Sequence, residues 1–429
     1  MPGILAGLRI VEGSAFVAAP LCGMTLAQLG ADVIRFDQIG GGPDYTRWPL
    51  AAGGQSLFWA GLNKDKRSIQ VDLRSPGGRQ IVRELIAAPG DGAGIFVTNF
   101  PARGWLAYES LREARPDLIM VAITGNADGS SEVDYTVNAA TGFPAVTGPR
   151  DLTEPVNSVF PVWDALTGMT SAVAILAAER HRRLTGEGQL VELALSDVAF
   201  AMTGHLGRIA QAQLGQGEAV KDGNHLYGAF GHDFETRDGR RVMVVGLTSR
   251  QWDALVAATG TRDVMDLVAK TTGEDLATQT GRFRARDQIE TALRPWFAAR
   301  DRATVGQLLD EAAVCWGPYQ TFAQLVDTDP RCSVRNPLFS IAHHRGAGDY
   351  LMPATPLRFS VTERPPPPRV PLLGEHTTDV LTGLLGRSED EIRDLHAHGT
   401  VASGDSGSRR AGETGDDASG ADGTAASAL

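Results

Sequence analysis

The sequence predicts an α/β protein in which a doubly wound parallel sheet forms a large domain and a smaller α+β domain follows. Three observations support this fold class. Short β-rich runs alternate with helical runs over residues 1–125, as in βαβ units. A long helical run extends from about Pro161 to Arg183, and the pattern changes near residue 223 to short strands. At 429 residues the chain is also long enough for two domains.

The first part of the chain alternates strictly between the two kinds of element. Helices are indicated at 19–30 and 77–88 by their apolar spacing. The strands are expected at 8–13, 32–37, 67–73, 93–100 and 118–124. Because successive strands are separated by helical crossovers, they should run parallel, and their carboxyl ends should meet at one edge of the sheet.

The second part predicts a hairpin at Asp238-Gly239 and amphipathic helices at about 249–259 and 285–299. These elements define the smaller domain, and two helical runs near the end of the chain close the larger one. The boundaries we predict are 1–200 and 345–400 for the discontinuous large domain, 223–325 for the small α+β domain, 201–222 and 326–344 for the linkers, and 403–429 for a disordered tail without a packing face.

The composition is that of an ordinary globular protein, with 42% apolar and 21% charged residues. No run is long and apolar enough to span a bilayer, and Arg9 and Glu12 interrupt what would be a secretory signal. The three cysteines lack metal or disulfide spacing, and the net charge of −11 disfavours a nucleic-acid surface. We therefore expect a cytoplasmic protein with no membrane, nucleic-acid or metal partner.

Asp164 stands behind Pro161 and Trp163, at the head of one of the most apolar helical runs of the chain. An ionised carboxylate at such a position costs free energy unless it is paired or used. It could cap the helix by accepting hydrogen bonds from free backbone N–H groups. Alternatively, it could act as a nucleophile in a water-poor pocket at a helix start. The residues alone leave both interpretations open.

Two arginines are expected on loops at the carboxyl edge of the sheet, and a basic run lies just before the third strand. Lys64 and Lys66 lie in the basic run just before the third strand, Arg35 lies near the end of the second, and Arg103 follows the fourth. A solvated loop would explain such a run equally well. Gathered at the sheet edge, however, the cations would suit the phosphates of a nucleotide-like ligand.

A nicotinamide-dependent dehydrogenase is a remote alternative. Asp37, at the end of the second strand, is placed where an acidic residue could bind a ribose. The first turn, EGSAFVAAP, lacks the G-x-G-x-x-G sequence that lets the backbone approach a pyrophosphate. Without that turn, we expect Asp37 to be a surface loop residue.

The chain resembles the family III CoA-transferases over about residues 4 to 400. The similarity is carried by the runs LAGLRIVEGSAFVAAPLCGMTLAQLGADVIRFD, LNKDKRSIQVDL, VTNFPARG, PVWDALTGMTSAVAILAAERHRRLTGEGQLVELAL, YGAFGHDFETRDGRRVMVVGLTSRQW and LGEHTTDVL. The resemblance implies an interlocked homodimer that acts on an acyl-CoA substrate. It also implies that no cofactor is needed beyond the CoA of that substrate.

The resemblance also implies roles for individual residues. Asp164 matches the nucleophilic aspartate of the family. The residues expected to contact the adenosine, the phosphates or the active-site loop are Arg35, Lys64, Lys66, Asn99, Phe100, Arg103 and Tyr135. Two loops depart from the family pattern, at 101–105 and 125–135.

The family contains racemases as well as transferases. The racemases move an α-proton with a histidine–aspartate pair, and Val133 occupies the position of that histidine. The resemblance therefore favours CoA transfer. Its predicted form is intramolecular transfer within one unsaturated dicarboxylate through an aspartyl-CoA thioester. Transfer from an acyl-CoA to a separate carboxylic acid is the alternative.

Overall fold

The computed structural model of the chain describes residues 3–215, 217, 219–363 and 367–404. Of the tail that we predict to be disordered, 405–429 lies outside the described residues. The chain divides into two compact units. The first comprises 1–141, 158–214 and 330–429, and the second comprises 142–157 and 215–329.

Twelve strands form within the part of the chain that the structure describes. Their bounds are β1 Arg9–Gly13, β2 Asp32–Asp37, β3 Arg67–Val71, β4 Ile95–Thr98, β5 Ile119–Thr124, β6 Leu190–Ala194, β7 Phe230–Glu235, β8 Arg241–Gly246, β9 Cys315–Pro318, β10 Phe339–His344, β11 Gly348–Pro353 and β12 Val401–Ala402.

Helices connect the strands in the part of the chain that the structure describes. Their bounds are α1 Ala18–Ala27, α2 Leu57–Asn63, α3 Pro76–Ala87, α4 Tyr108–Arg112, α5 Asp134–Ala140, α6 Phe143–Val146, α7 Val162–Thr185, α8 Leu195–His205, α9 Arg208–Gln213, α10 Ser249–Thr259, α11 Arg262–Thr272, α12 Gln279–Arg284, α13 Arg286–Ala298, α14 Arg302–Glu311, α15 Phe322–Thr328, α16 Thr377–Leu385 and α17 Glu389–Ala397. Short 3₁₀ turns lie at Gly104–Leu106 and Pro330–Cys332.

The first unit is built on a seven-stranded sheet with the order β12-β3-β2-β1-β4-β5-β6. Strands β1 to β6 are parallel, as predicted, and only β12 pairs antiparallel to its neighbour β3. The chain winds outward from β1 on one side and from β4 on the other. Because the winding reverses between these two strands, their carboxyl ends leave a crevice of the kind in which α/β proteins bind ligands.

An apolar core lies on each face of this sheet. One includes Val11, Phe36 and Phe96 together with side chains of α3, α16 and α17. The other includes Ile10 and Val33 together with side chains of α1 and α7. Burial of alternate strand residues on both faces explains why the strand sequences are almost continuously apolar.

The second unit contains the antiparallel sheet β7-β8-β9. Helices α10, α11, α13 and α14 supply most of the side chains that pack with this sheet in a third apolar core. The predicted hairpin turn joins β7 to β8, and Gly239 adopts a positive φ of 69° there.

The unit boundaries differ from the predicted domain boundaries in three places. Residues 201–222, predicted as a linker, include the end of α8 and all of α9. Residues 326–344, predicted as the second linker, include the end of α15, a 3₁₀ turn and β10. Residues 142–157 group with the second unit instead of the large domain. These elements are short or irregular, so their apolar spacing gives little signal in the sequence.

Candidate active site

The long helix α7 begins at Val162, and Asp164 is its third residue. The Asp164 carboxylate is half-buried and forms no hydrogen bond with any residue that the structure describes. The interpretation of Asp164 as a helix cap is therefore wrong. Its side chain is left available at the carboxyl edge of the sheet, where α7 starts.

The cap of α7 is supplied from a different helix. Asp134, the first residue of α5, is only 2% exposed. Its Oδ2 accepts the backbone N–H of Trp163 at 2.7 Å and that of Asp164 at 3.0 Å. The indole N–H of Trp163 also donates to Asn138 Oδ1 at 2.9 Å. These contacts fix the first turn of α7 and, with it, the backbone that carries Asp164.

Sequence reasoning missed Asp134, because nothing in a single chain indicates that a carboxylate will cap a helix about thirty residues away. The only available signal was an acidic residue at the start of a short helical run. Such residues commonly stabilise their own helix.

The electrostatic surroundings of Asp164 suit a reactive carboxylate. Burial and, to a smaller extent, the charge of Asp134 raise its pKa to about 6, although the charge of Arg47 acts in the opposite direction. Burial also raises the pKa of Asp134, although the two N–H groups that it accepts act in the opposite direction. At neutral pH Asp164 is thus ionised but poorly solvated, which favours nucleophilic attack.

The loop between β1 and α1 lies at the same edge of the sheet. Asn99, just after β4, forms hydrogen bonds with both backbone polar groups of Ala15. Its Oδ1 accepts from Ala15 N at 2.9 Å, and its Nδ2 donates to Ala15 O at 2.7 Å. The next residue, Phe16, has a φ of 66° and donates its N–H to Asp44 Oδ2 at 3.2 Å. Asn99, expected to contact the ligand, therefore shapes the loop beside the site.

Helix α7 packs closely against the start of α1. A Cβ added at Gly168 would lie 2.7 Å from the carbonyl oxygen of Ala18, so only glycine allows this approach. Gly168 lies about one turn after Asp164. The glycine therefore lets the first turns of α7 pack against the start of α1.

Arg35 and Lys66, expected to contact phosphates, lie inside the protein instead. The Lys66 ammonium donates to Glu12 Oε1 and Asn63 Oδ1, both at 2.8 Å. The Arg35 guanidinium forms two hydrogen bonds to Asp37, at 2.9 and 2.8 Å. Both side chains are almost fully buried, so their charges neutralise buried carboxylates and do not face a ligand.

The same network corrects the expectation for Asp37. It is 2% exposed and paired with Arg35, and is not a surface loop residue. Asp44 also accepts from Arg35, at 3.1 Å. Because Asp44 holds the N–H of Phe16 as well, the network extends from the sheet to the β1–α1 loop.

Lys64 differs from its neighbour Lys66. It is only 4% exposed, yet its ammonium has no hydrogen bond or ion pair among the described residues. Burial lowers its pKa to about 8, and the charge of Asp65 only partly opposes this effect. A buried ammonium without a partner remains suited to bind an anion.

A cavity of about 510 Å³ opens where β2, β3 and β4 end. Three arginines line it, Arg74, Arg79 and Arg103, together with the aromatic rings of Phe100 and Trp105. The guanidinium carbon of Arg79 lies 5.9 Å from the centroid of a Trp105 ring, and its Nε donates to Leu73 O at 2.8 Å. Cations beside flat apolar surfaces suit a nucleotide, because phosphates pair with guanidinium groups and bases stack on rings.

Two of these lining residues, Phe100 and Arg103, were expected in the site from the sequence. Arg74, Arg79 and Trp105 were missed, because they follow strand ends at irregular distances and match no motif. Tyr135 follows Asp134 on α5, and 42% of it is exposed. The residues expected from the sequence thus lie in separate places. Asp164 lies at the head of α7, Phe100 and Arg103 line this cavity, and Arg35 and Lys66 belong to the buried ion pairs.

Other kinds of site find no support in the part of the chain that the structure describes. No group of histidine, cysteine and acidic residues there could hold a metal ion. The helices described are all too short or too polar to cross a membrane. All three cysteines are free thiols.

The sequence model of CoA-transferase family III matches residues 5–377. The chain belongs to this family. It is 55% identical to 2-methylfumaryl-CoA isomerase of Chloroflexus aurantiacus over 406 residues, which cover 94% of this chain and 99% of that enzyme. It is 31% identical to succinyl-CoA:mesaconate CoA-transferase of Haloarcula marismortui, with 88% of this chain and 96% of that enzyme covered.

Solved structures agree with this membership. A CAIB/BAIF family protein from Brucella suis has a TM-score of 0.72 with 28% sequence identity. The match covers 90% of this chain and all of that one. The mixed α/β fold with its mainly parallel sheet is therefore shared with other family members.

Proposed function

We propose that this chain moves CoA between the two carboxyl groups of one substrate, converting 2-methylfumaryl-CoA (mesaconyl-C1-CoA) into 3-methylfumaryl-CoA (mesaconyl-C4-CoA). The observation that carries the chemistry is the Asp164 carboxylate, unpaired and half-buried at the capped head of α7. The choice of substrate is supported by the 55% identity to a 2-methylfumaryl-CoA isomerase.

The reaction proceeds through covalent intermediates on Asp164. Its carboxylate attacks the thioester carbonyl, which gives a mixed anhydride and expels the CoA thiolate. The thiolate then attacks the aspartyl carbonyl, forming an aspartyl-CoA thioester and releasing the acyl group as a carboxylate. The dicarboxylate turns, its other carboxylate attacks that thioester, and the same two steps in reverse order regenerate Asp164. One thioester is exchanged for another, so no external energy is needed.

The cavity beside Phe100 is the proposed site of the nucleotide part of CoA. Its three arginines offer partners for the phosphates, and Trp105 offers an apolar face for the adenine. Phe100 directly follows Asn99, which shapes the β1–α1 loop, so the cavity and that loop are joined through consecutive residues. The CoA substrate thus supplies the transferred group, and we propose no separate cofactor.

We also propose that the chain works as an interlocked homodimer in the cytoplasm. Large apolar side chains on its surface support a covering partner, including Phe322 at 89% and Val159 at 93% exposure. The three free thiols are consistent with a reducing compartment. Sedimentation analysis of the purified chain should give the mass of two copies.

Isotope crossover separates the proposed isomerase from an intermolecular transferase. The purified protein would convert 2-methylfumaryl-CoA in the presence of excess labelled free 2-methylfumarate, with succinate added in a parallel reaction. An unlabelled 3-methylfumaryl-CoA product is expected, since the second carboxylate is already present in the site at a high effective concentration. Label in the product, or succinyl-CoA formed at a comparable rate, would indicate the two-substrate reaction that the Haloarcula relative's name describes.

A further inference from the structure

Arg47 lies in the loop between β2 and α2, and its position is fixed at both backbone and side chain. Its N–H donates to Asp44 O at 3.2 Å, and its carbonyl accepts from Ser56 Oγ at 2.6 Å. The guanidinium carbon lies 5.6 Å from the ring centroid of Phe16 and 5.3 Å from that of Phe58. Two aromatic rings therefore hold an arginine that is otherwise exposed to solvent.

The guanidinium has no hydrogen bond or ion pair with any described residue. This separates Arg47 from Arg35, whose nitrogens all face carboxylate or amide oxygens of the protein. The five N–H donors of Arg47 are thus available, in the planar geometry that pairs with a carboxylate through two parallel hydrogen bonds.

The contacts of Arg47 place it on the same side of the molecule as Asp164. Phe16 belongs to the β1–α1 loop that Asn99 and Asp44 shape. In addition, the positive charge of Arg47 opposes the burial that raises the pKa of Asp164. The geometry agrees, because the start of α1, two residues after Phe16, packs against α7 at Gly168, one turn after Asp164. No ion pair joins Arg47 and Asp164 among the described residues.

We propose that Arg47 binds the carboxylate of a dicarboxylic acyl group that is not reacting with Asp164. The inference rests on the proposed function and adds the residue that selects dicarboxylates. In the first half of the reaction Arg47 holds the C4 carboxylate while Asp164 attacks C1. After the released dianion turns, Arg47 holds the C1 carboxylate and the C4 carboxylate faces the aspartyl-CoA thioester.

This arrangement also accounts for retention of the intermediate. A free dicarboxylate beside a neutral thioester would leave the site readily, because nothing would compensate for the loss of its hydration. A charge-assisted pair with an arginine on an aromatic surface keeps one end bound while the other end reacts. Arg47 would thus make the transfer intramolecular.

The test compares Arg47→Gln with the unaltered enzyme on two thioesters, 2-methylfumaryl-CoA and the monocarboxylic crotonyl-CoA. Single-turnover formation of the covalent CoA adduct would be followed by mass spectrometry of the quenched protein. Loss of a charged hydrogen-bond partner should slow adduct formation from 2-methylfumaryl-CoA roughly 10- to 100-fold. The rate with crotonyl-CoA, which has no second carboxylate, should change by less than about twofold.

Arg103→Gln is the matched control, because its arginine lines the nucleotide cavity and should affect both thioesters by the same factor. Arg47→Lys keeps the charge without the planar fork and should fall between the unaltered enzyme and Arg47→Gln. In the crossover reaction, Arg47→Gln should also allow labelled free 2-methylfumarate to enter the product.

Equal slowing of both thioesters by Arg47→Gln, or no change with either, would overturn the role of Arg47. Those outcomes leave the proposed function standing as long as the unaltered enzyme forms the covalent adduct. Absence of any adduct on the unaltered enzyme would instead contradict the proposed function. A circular dichroism spectrum equal to that of the unaltered enzyme shows that the glutamine variant is folded.

Discussion

Two groups of cations in the first unit have opposite surroundings. Arg35 and Lys66 are buried and contact carboxylates at hydrogen-bond distance. Arg74, Arg79 and Arg103 line an open cavity beside aromatic rings. All five side chains are cations, but the first group neutralises charge inside the protein and the second is available to a ligand.

The comparison teaches that a cation near a strand end does not by itself indicate a phosphate site. What decides is whether the sheet places a carboxylate opposite it. Glu12 pairs with Arg35 in the register of β1 and β2, so the two side chains emerge on the same face and must be buried together. Asp37, the last residue of β2, also lines the cavity, but its carboxylate is paired with Arg35 and forms no ion pair with a cavity arginine among the described residues.

The two groups should differ most in how much the loss of one cation lowers the free energy of unfolding. Arg35→Met should lower the free energy of unfolding by about 3–5 kcal/mol, because Asp37 and Asp44 would remain buried without their partner. Urea denaturation of the whole protein measures this change. Arg103→Met, which removes an exposed arginine, should change the same free energy by less than about 0.5 kcal/mol. Similar losses in both variants would contradict the distinction between the groups.

A smaller loss of stability should follow when the buried ion pairs around Glu12 are displaced but no charge is removed. A Cβ added at Gly23 would lie 1.7 Å from Glu12 Oε2, so Gly23→Ala must displace that carboxylate. We expect a loss of about 1–3 kcal/mol in unfolding free energy. Gly61→Ala in α2 is the control, since its Cβ would meet no atom within 4 Å. It should be neutral or stabilise by up to about 1 kcal/mol. Equal behaviour of the two alanine variants would show that Glu12 is not tightly held.

The smallest effect concerns the cavity arginines taken one at a time. Arg79→Met or Arg103→Met should raise KM for the CoA thioester about fivefold, corresponding to about 1 kcal/mol, and leave kcat unchanged. Steady-state kinetics with 2-methylfumaryl-CoA measures both constants. A fall in kcat at constant KM would instead connect these residues with the chemical steps.

The sequence predicted the helices and strands whose apolar residues recur with a clear period. The five predicted strands of the first part and the helix that begins before Asp164 are present, because each contributes an apolar face or run to a core. Strand β12 was missed. It has only two residues and is defined by its pairing with β3, which is hundreds of positions away in the chain. Helix α9 buries no residue fully, so it has no apolar face to detect.

The site was predictable only as far as single residues carry a pattern. Asp164 stood out because a carboxylate precedes an apolar helix. The roles of Asp134 and Arg47 depend on contacts with α7 and with the rings of Phe16 and Phe58. The burial of Lys66 likewise depends on its distant partner Glu12. Such contacts are created by the topology and are not visible in local sequence.

The most direct test of the account is chemical trapping of Asp164. Turnover of 2-methylfumaryl-CoA in the presence of borohydride, followed by peptide mass spectrometry, should modify Asp164 alone. The yield should rise as the pH increases through about 6, because only the ionised carboxylate attacks. Asp164→Ala should give no modification and no product.

The matched control is Asp197→Ala, which removes an exposed acid from the first turn of α8 and should behave like the unaltered enzyme. Modification of another residue, or an alanine variant that retains more than about a hundredth of the rate, would contradict the role of Asp164.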